Sequence, residues 1–230
     1  SGVEIAGALA EMKRYVLPKD YPYMETDQFK IHLIDASPRL LQAMSEKSSR
    51  TAAEGLTSLG VEIHHNMMVT DYDGRVLTLG DGTKMNTRTV IWVSGIVANT
   101  VEGLPADTLG RGKRLLVDEH SQVIGHPRIF AVGDQSLMTT DPAYPNGHPQ
   151  MAQVALQQAK QLASNLKALE DGKPLAPFRY KDLGAMATIG RNKAVAEIGK
   201  MKWGGFTAWV LWLVVHLRSI LSVRNKLIVL

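Results

Sequence analysis

Short apolar runs alternate with polar, glycine-bounded segments along this chain, the rhythm of an α/β fold. Residues 1–9 place apolar side chains at helical spacing with no strand before them, so the chain is expected to begin inside an element. Phe29 to Asp35 reads as a buried strand ending in an acid, followed by a helix from Pro38 to about Leu59 that stops at Gly60. Val61–His64 reads as the next strand. Two alternating stretches, Arg75–Leu79 and Lys84–Asn86, flank Gly80-Asp81-Gly82-Thr83 and predict a hairpin. Thr89–Val93 is an apolar run closing at Ser94-Gly95, expected to return to the parallel sheet.

From Asn99 to Gly112 the pattern is loop-like, and Leu115–Asp118 and Ile129–Val132 read as strands of a second sheet. A helix is predicted from Pro149 to about Ala168, with a stop at Asp171-Gly172-Lys173-Pro174. Residues 183–198 suggest a hairpin about Gly190-Arg191-Asn192, and Phe206 onward reads as helix. That last helix carries Trp209, Trp212, Leu213, His216, Leu217, Ile220 and Leu221 as a broad apolar stripe. Its uninterrupted apolar run, about Ala208 to Val215, falls far short of the ~20 residues a spanning helix needs. With two Trp and flanking cations the stripe suits a helix lying in a membrane interface, though packing on a core or a dimer partner also explains it.

Composition narrows the chemistry. The 230 residues are 45% apolar, enough for one large domain or two small ones. The absence of Cys excludes disulfide exchange, cysteine nucleophiles and Cys-ligated zinc or iron–sulfur sites, and no metal centre is expected. The net charge of +4 is uneven: no acid follows Glu197, while Lys200, Lys202, Arg218, Arg224 and Lys226 add +5, leaving 4 − 5 = −1 for the rest. A basic excess on a Trp-containing tail fits an anionic membrane surface, and no basic and aromatic interleaving elsewhere suggests a nucleic-acid groove.

The candidate chemistry gathers at strand ends. Arg128–Val132 runs into Gly133-Asp134, which presents one fixed carboxylate at the carboxyl edge of a sheet, where open α/β folds bind ligands. Asp134 suits a sugar or ribityl hydroxyl, and a plain turn explains it equally well. The following helix aims a positive dipole end at the same place. Asp35 can take both hydroxyls of an adenosine ribose and repel a 2′-phosphate, while nearby Arg39 raises NADPH as a second option. Glu4 sits in a first helical turn, which stabilises a carboxylate by itself. Gly95 allows a close approach or a turn. Gln153 and Gln157, four residues apart, share a helix face, and their uncharged amides suit a quinone carbonyl or a polar helix surface. His148 reads as the start of the helix.

The runs RIFAVGDQS, YPNGHPQMAQVALQQAKQLASNL, LGAMATIGRNKAVAEI and GGFTAWVLWLVVHLRSILSVRNKLIVL resemble the C-terminal part of type II NADH dehydrogenases. The resemblance implies a partial Rossmann-like, two-dinucleotide-domain flavoprotein fold with a C-terminal amphipathic, membrane-anchoring helical region. It divides the chain into an NADH domain at 1–98, part of an FAD domain at 99–172, and a hairpin and helix at 173–230. It implies electron transfer from NADH through FAD to a membrane quinone, with the chain at the cytoplasmic face of the cell membrane and dimer contacts from the tail. Gly2 becomes the last glycine of a GxGxxG turn whose first two are missing, and Asp35 the ribose acid. Glu4 accepts or relays a proton near the flavin. Gly95, Gly133 and Asp134 approach cofactor, and Gln153 and Gln157 contact isoalloxazine and quinone. Two other readings stay open: a soluble FAD/NAD(P)H oxidoreductase of the same fold, and a non-catalytic, membrane-binding fragment. With half of the flavin cradle absent, the 230 residues alone are expected neither to hold FAD firmly nor to oxidise NADH.

Overall fold

A computed structural model describes residues 1–219. The chain opens with α1 (Gly2–Glu11), which runs through a π-helical turn, Met12–Val16, into the short α2 (Leu17–Asp20). Strand β1 (Ile31–Ile34), helix α3 (Glu46–Ser58) and strand β2 (Val61–His64) follow, with the two strands paired in parallel. Alternation decides what they bury. Ile31, Leu33 and Ile63 pack beside Val61 on a core built from Val3, Ala6, Leu40, Ala52 and Leu56.

The helix predicted from Pro38 begins instead at Glu46, with Ser45 as its N-cap. In between, the Arg39 guanidinium donates to the carbonyls of Gln42 and Met44, each at 2.8 Å, and Leu41 takes a φ of +50°. The guanidinium satisfies these carbonyls, so a loop is stable where apolar spacing alone suggested helix.

Strands β3 (Val69–Tyr72), β4 (Val76–Leu79) and β5 (Lys84–Asn86) form an antiparallel meander. The β4–β5 hairpin is the predicted one, and β3 adds a strand to it. Thr89–Val93 is not a strand: Ile91 is 49% and Trp92 66% exposed. Among the described residues β1 pairs only with β2, and the 89–93 run has no ladder partner for its backbone. Apolar content cannot create a strand without an adjacent one. Val90–Val93 and Phe29–Ile34 instead line a cleft of about 680 Å³.

A four-stranded sheet follows, from β6 (Leu115–Val117), β7 (Gln122–Val123), β8 (His126–Phe130) and β9 (Ser136–Met138), in the order β8-β7-β6-β9. The predicted strand at Ile129–Val132 is shifted toward the N-terminus, because Val132 leads directly into a 3-10 turn at Gly133–Gln135. Helix α4 (Ala152–Glu170) starts after Pro149 rather than at it, and ends in a Schellman motif. Lys173 N–H bonds Ala168 O at 2.8 Å, Gly172 N–H bonds Leu169 O at 3.1 Å, and Gly172 has a φ of +65°.

The last elements are β10 (Ala185–Gly190), β11 (Lys193–Ile198), β12 (Met201–Gly204) and α5 (Gly205–Ser219). The hairpin is as predicted, with β12 as an added strand. The chain forms two compact units, Ser1–Ser94 with Gly184–Leu230, and Gly95–Leu183. The expected third region at 173–230 is therefore not separate; most of it belongs to the first unit. A Cβ at Gly7 would stand 1.8 Å from the Ile189 carbonyl oxygen, so α1 lies against β10 only because position 7 lacks a side chain. Glu197 of β11 accepts from Ser45 N–H and from the hydroxyls of Ser45 and Ser48 at the start of α3. Burial opposes its charge, but these bonds outweigh it and hold the carboxyl below its ordinary pKa.

Candidate functional site

In the first unit, Asp35 follows β1 and is half-buried. Its N–H donates to His64 O at 2.9 Å, and its Oδ1 accepts from Ser37 N–H at 2.8 Å in a local turn. One carboxylate oxygen is thus structural, while Oδ2 faces no donor among the described residues. Arg39, tied to loop carbonyls, does not present its guanidinium for a 2′-phosphate. Gly2 opens α1, where an added Cβ would only touch Leu33 and Val93 at 3.4 and 3.5 Å. Glu4 stands in the first turn of α1, and its Oε1 accepts from Thr188 N–H at 3.5 Å, bridging helix to β10.

The second unit contains Gly95, whose φ of +72° demands glycine, while an added Cβ would meet nothing within 4 Å. Its surroundings are open, so the backbone conformation alone favours glycine there. Gly133 differs: its φ is +68° and a Cβ would lie 3.1 Å from Ala155 Cβ, so α4 sits directly over the turn. Gln158 holds that turn from below. It is 1% exposed, and its Oε1 accepts from Gly133 N–H at 2.6 Å and Ser136 Oγ at 3.3 Å. Gln150 Nε2 donates to Asp134 O at 3.1 Å, so the backbone is fixed on both sides. The Asp134 side chain itself is exposed. Beside it, the first turn of α4 has Met151 as N-cap and no side-chain cap, so the positive end of the helix dipole stands there.

The amides of α4 are hooks for the backbone. Gln157 donates to Lys181 O at 2.9 Å and accepts from Lys181 N–H at 3.1 Å, and Gln153 accepts from Leu183 N–H at 3.1 Å. Asn165 pairs the same way with both backbone groups of Ala176. Gln153 and Gln157 therefore do share a face, and that face carries the 181–183 segment.

Between the turn and α4 lies a buried pair, His148 and Asp141, at 2.9 Å, 1% and 4% exposed. The His148 ring packs against those of Tyr144, Phe178 and Tyr180. Burial works against the Asp141 charge, yet hydrogen bonds from His148, Tyr180 N–H and Ala143 N–H hold its pKa below the ordinary value. A depressed pKa of this kind stabilises the fold above the ordinary carboxylate range, and the contribution is lost as pH falls through the folded value. Burial, with Asp182 and Tyr144 adding, pushes Tyr180 up to about 12, so it is a neutral phenol. His148 is structural, inside the loop rather than in the helix.

These geometries can be set beside known proteins. Residues 1–159 match the model of one protein family, described as pyridine nucleotide-disulphide oxidoreductase. The chain belongs to the pyridine nucleotide-disulphide oxidoreductase family. Residues 183–230 match the NDH2 C-terminal domain. The type II NADH:quinone oxidoreductase Ndh of Mycobacterium tuberculosis is 35% identical over 238 residues, covering 99% of this chain and 50% of the relative. The type II NADH:quinone oxidoreductase of Haemophilus influenzae is 28% identical, covering 86% and 44%. A solved structure of NDH2 from Plasmodium falciparum in complex with NADH shares the fold, with a TM-score of 0.86 at 19% identity, over 98% of this chain and 61% of that one. The chain spans about half the length of the curated relatives it matches.

Family membership alone gives a role neither to Asp35, directly after β1, nor to Asp134, in the turn between β8 and β9. It does not supply Gln158, which only the structure identifies. The signal was present: Val154, Gln158 and Asn165 recur at helical spacing on the buried side of α4, and a polar residue at a core position needs a partner. The NDH2-like tail also departs from its predicted stripe. Trp209 and Leu211 pack with Trp203 and Met186 around Ala194, Ala196 and Ala208. The outward face is instead Phe206, Val210 and Val214, at 60%, 39% and 58% exposure. Ile220 and Leu221 lie outside the described residues, and no described helix is long and apolar enough to cross a membrane.

Proposed function

We propose that this chain is part of a type II NADH:quinone oxidoreductase, holding one wall of an FAD site and an NADH site. The observation that carries the reading is the Gly133-Asp134 turn. Its backbone is clamped by Gln158 and Gln150 while its carboxylate is left exposed beside the uncapped start of α4. A turn built so that one acid projects outward, next to the positive end of a helix with no side-chain cap, offers an acceptor and a favourable potential to a polyhydroxylated, anionic ligand. FAD fits that set, and when bound it supplies the electron transfer from NADH to quinone.

Each residue then has a task. Asp134 accepts from a flavin side-chain hydroxyl, and the α4 dipole favours negative charge near the site. Asp35, with Oδ2 unengaged, takes ribose hydroxyls and disfavours a 2′-phosphate. Gly2 leaves the start of α1 open for the nucleotide phosphates. Glu4 accepts or relays a proton in the reaction. Each protein bond of Gln157 leaves its amide one further donor and acceptor, so it can support the backbone and still address a quinone carbonyl. Gln153 acts on the same face.

The tail supports association with a membrane surface from the cytoplasmic face. Its outward Phe206, Val210 and Val214 share the 200–218 stretch of the sequence with exposed Lys200, Lys202 and Arg218, an apolar and cationic combination that suits anionic lipid. Co-sedimentation of the native protein with anionic vesicles tests this: exchanging Phe206 and Val214 for Glu is expected to abolish binding. Unchanged vesicle binding with loss of self-association would assign the face to a homodimer.

The catalytic reading is tested by steady-state NADH oxidation with a quinone and, separately, with ferricyanide, an outer-sphere acceptor. Gln153→Ala and Gln157→Ala are expected to lower the quinone rate by about tenfold or more while sparing ferricyanide reduction, the size of one lost polar contact. A parallel fall in both would make the two glutamines supports of the 181–183 segment only.

A further inference from the structure

The two parallel strands turn their chemistry-bearing side chains to one side. In their register His32 stands opposite Glu62, and Ile34 opposite His64. The two-residue period therefore sets His32, Glu62 and His64 on the face away from the core that takes Leu33, Val61 and Ile63. None of the three side chains has a part in the sites described above. His32 Nδ1 lies 3.1 Å from His64 Nε2 and 3.4 Å from Glu62 Oε2. One ligand atom from each residue lies within 4.8 Å of the other two.

The two separations from His32, 3.1 and 3.4 Å, are close to the edges of a coordination tetrahedron. Bonds of about 2.0–2.1 Å to a four-coordinate zinc-class ion set the ligand atoms roughly 3.3–3.4 Å apart. Two imidazoles and a carboxylate are also the donor set that such ions prefer, whereas calcium and magnesium require oxygen throughout. We propose that His32, Glu62 and His64 bind one divalent transition ion of the zinc class, with water completing the coordination.

The electrostatics are compatible. Burial, reinforced by His64 and Lys30, pushes His32 below its ordinary pKa against the pull of Glu62, so its ring offers a lone pair at neutral pH. The side chain of Glu62 is 48% exposed, which gives the ion a route in and room for water. Lys30 Nζ, 3.5 Å from Glu62 Oε1, is the cation that the metal would displace.

Occupancy has a structural consequence. Among the described strands β1 and β2 pair only with one another, over four residues each, so an ion shared by both would staple a short parallel pair. The His64 carbonyl accepts from Asp35 N–H at 2.9 Å, so fixing His64 also fixes the strand end that presents Asp35. This coupling rests on the nucleotide reading of Asp35. The site itself does not.

The test uses the native protein, stripped with a chelator and titrated with Co²⁺ and then Zn²⁺. One equivalent of Co²⁺ is expected to give the visible bands of tetrahedral coordination, which Zn²⁺ then removes while raising the unfolding temperature. H32Q and H64Q are each expected to weaken uptake by about tenfold or more, and E62Q by a similar or smaller factor. H126Q, a histidine of the other unit, leaves it unchanged. No uptake at micromolar ion, or the same affinity in H32Q and H64Q as in the native protein, would overturn the proposal. If a histidine variant fails to fold, the half-exposed E62Q decides, and unchanged affinity there overturns it equally. None of these readouts depends on NADH oxidation, so they succeed or fail separately from the catalytic reading.

Discussion

Asp35 and Asp134 both follow a strand, Asp35 directly after β1 and Asp134 in the 3-10 turn between β8 and β9, yet the fold uses them differently. Asp35 spends Oδ1 on Ser37 N–H, closing its own turn. Asp134 spends no side-chain oxygen on its turn, because Gln158 and Gln150 hold the backbone there. The first acid is half structural and half available, whereas the second is exposed over a scaffold that other residues maintain. Where a turn is stabilised from outside, its acid can be given wholly to a ligand. Where the acid stabilises its own turn, removing it confounds binding with folding.

The contrast is broken most severely at Gln158. Gln158→Leu keeps most of the volume but leaves Gly133 N–H buried without an acceptor, and is expected to cost about 2–3 kcal/mol. Denaturant unfolding and flavin content together read it, and both should fall. Retained stability and flavin would mean that the turn does not depend on the buried amide.

Asp134→Ala sharpens the contrast from the other side. Its effect belongs to binding: flavin affinity is expected to drop by about 1.5–3 kcal/mol, while the stability of the flavin-free protein changes by less than about 0.5 kcal/mol. Equilibrium dialysis of flavin and thermal unfolding measure the two halves. A stability loss as large as the binding loss would erase the distinction between the acids.

The smallest expected effect is at Asp35. Asp35→Ala removes the acceptor of Ser37 N–H and is expected to cost about 1 kcal/mol of stability, together with a lower preference for NADH over NADPH in kcat/KM. Unaltered donor preference would leave Asp35 with its turn alone.

The part of this legible in sequence was the part encoded locally. The rhythm of β1, α3 and β2, the β4–β5 hairpin and the Gly172 helix stop each rest on neighbours in the chain. What was not legible depends on distant partners. Thr89–Val93 has the apolar content of a strand but no adjacent strand, so it stays outside the ladder. Arg39 reads as a phosphate ligand until the carbonyls of Gln42 and Met44 fold under it. The tail shows a Trp and Leu stripe, yet β10 to β12 cover much of it and leave Phe206 and Val214 outward. The convergence of His32 with His64 follows only from a parallel register that joins residues 32 apart.

The claim that the Gly133-Asp134 turn serves a flavin that carries electrons from NADH to quinone is tested most directly by the visible absorbance, under anaerobic conditions, of the full-length protein of which these 230 residues are proposed to be part. The account predicts flavin bands that bleach on addition of NADH and return on addition of a quinone. A purified, folded protein with no flavin bands, or with bands that NADH leaves unchanged, would contradict it.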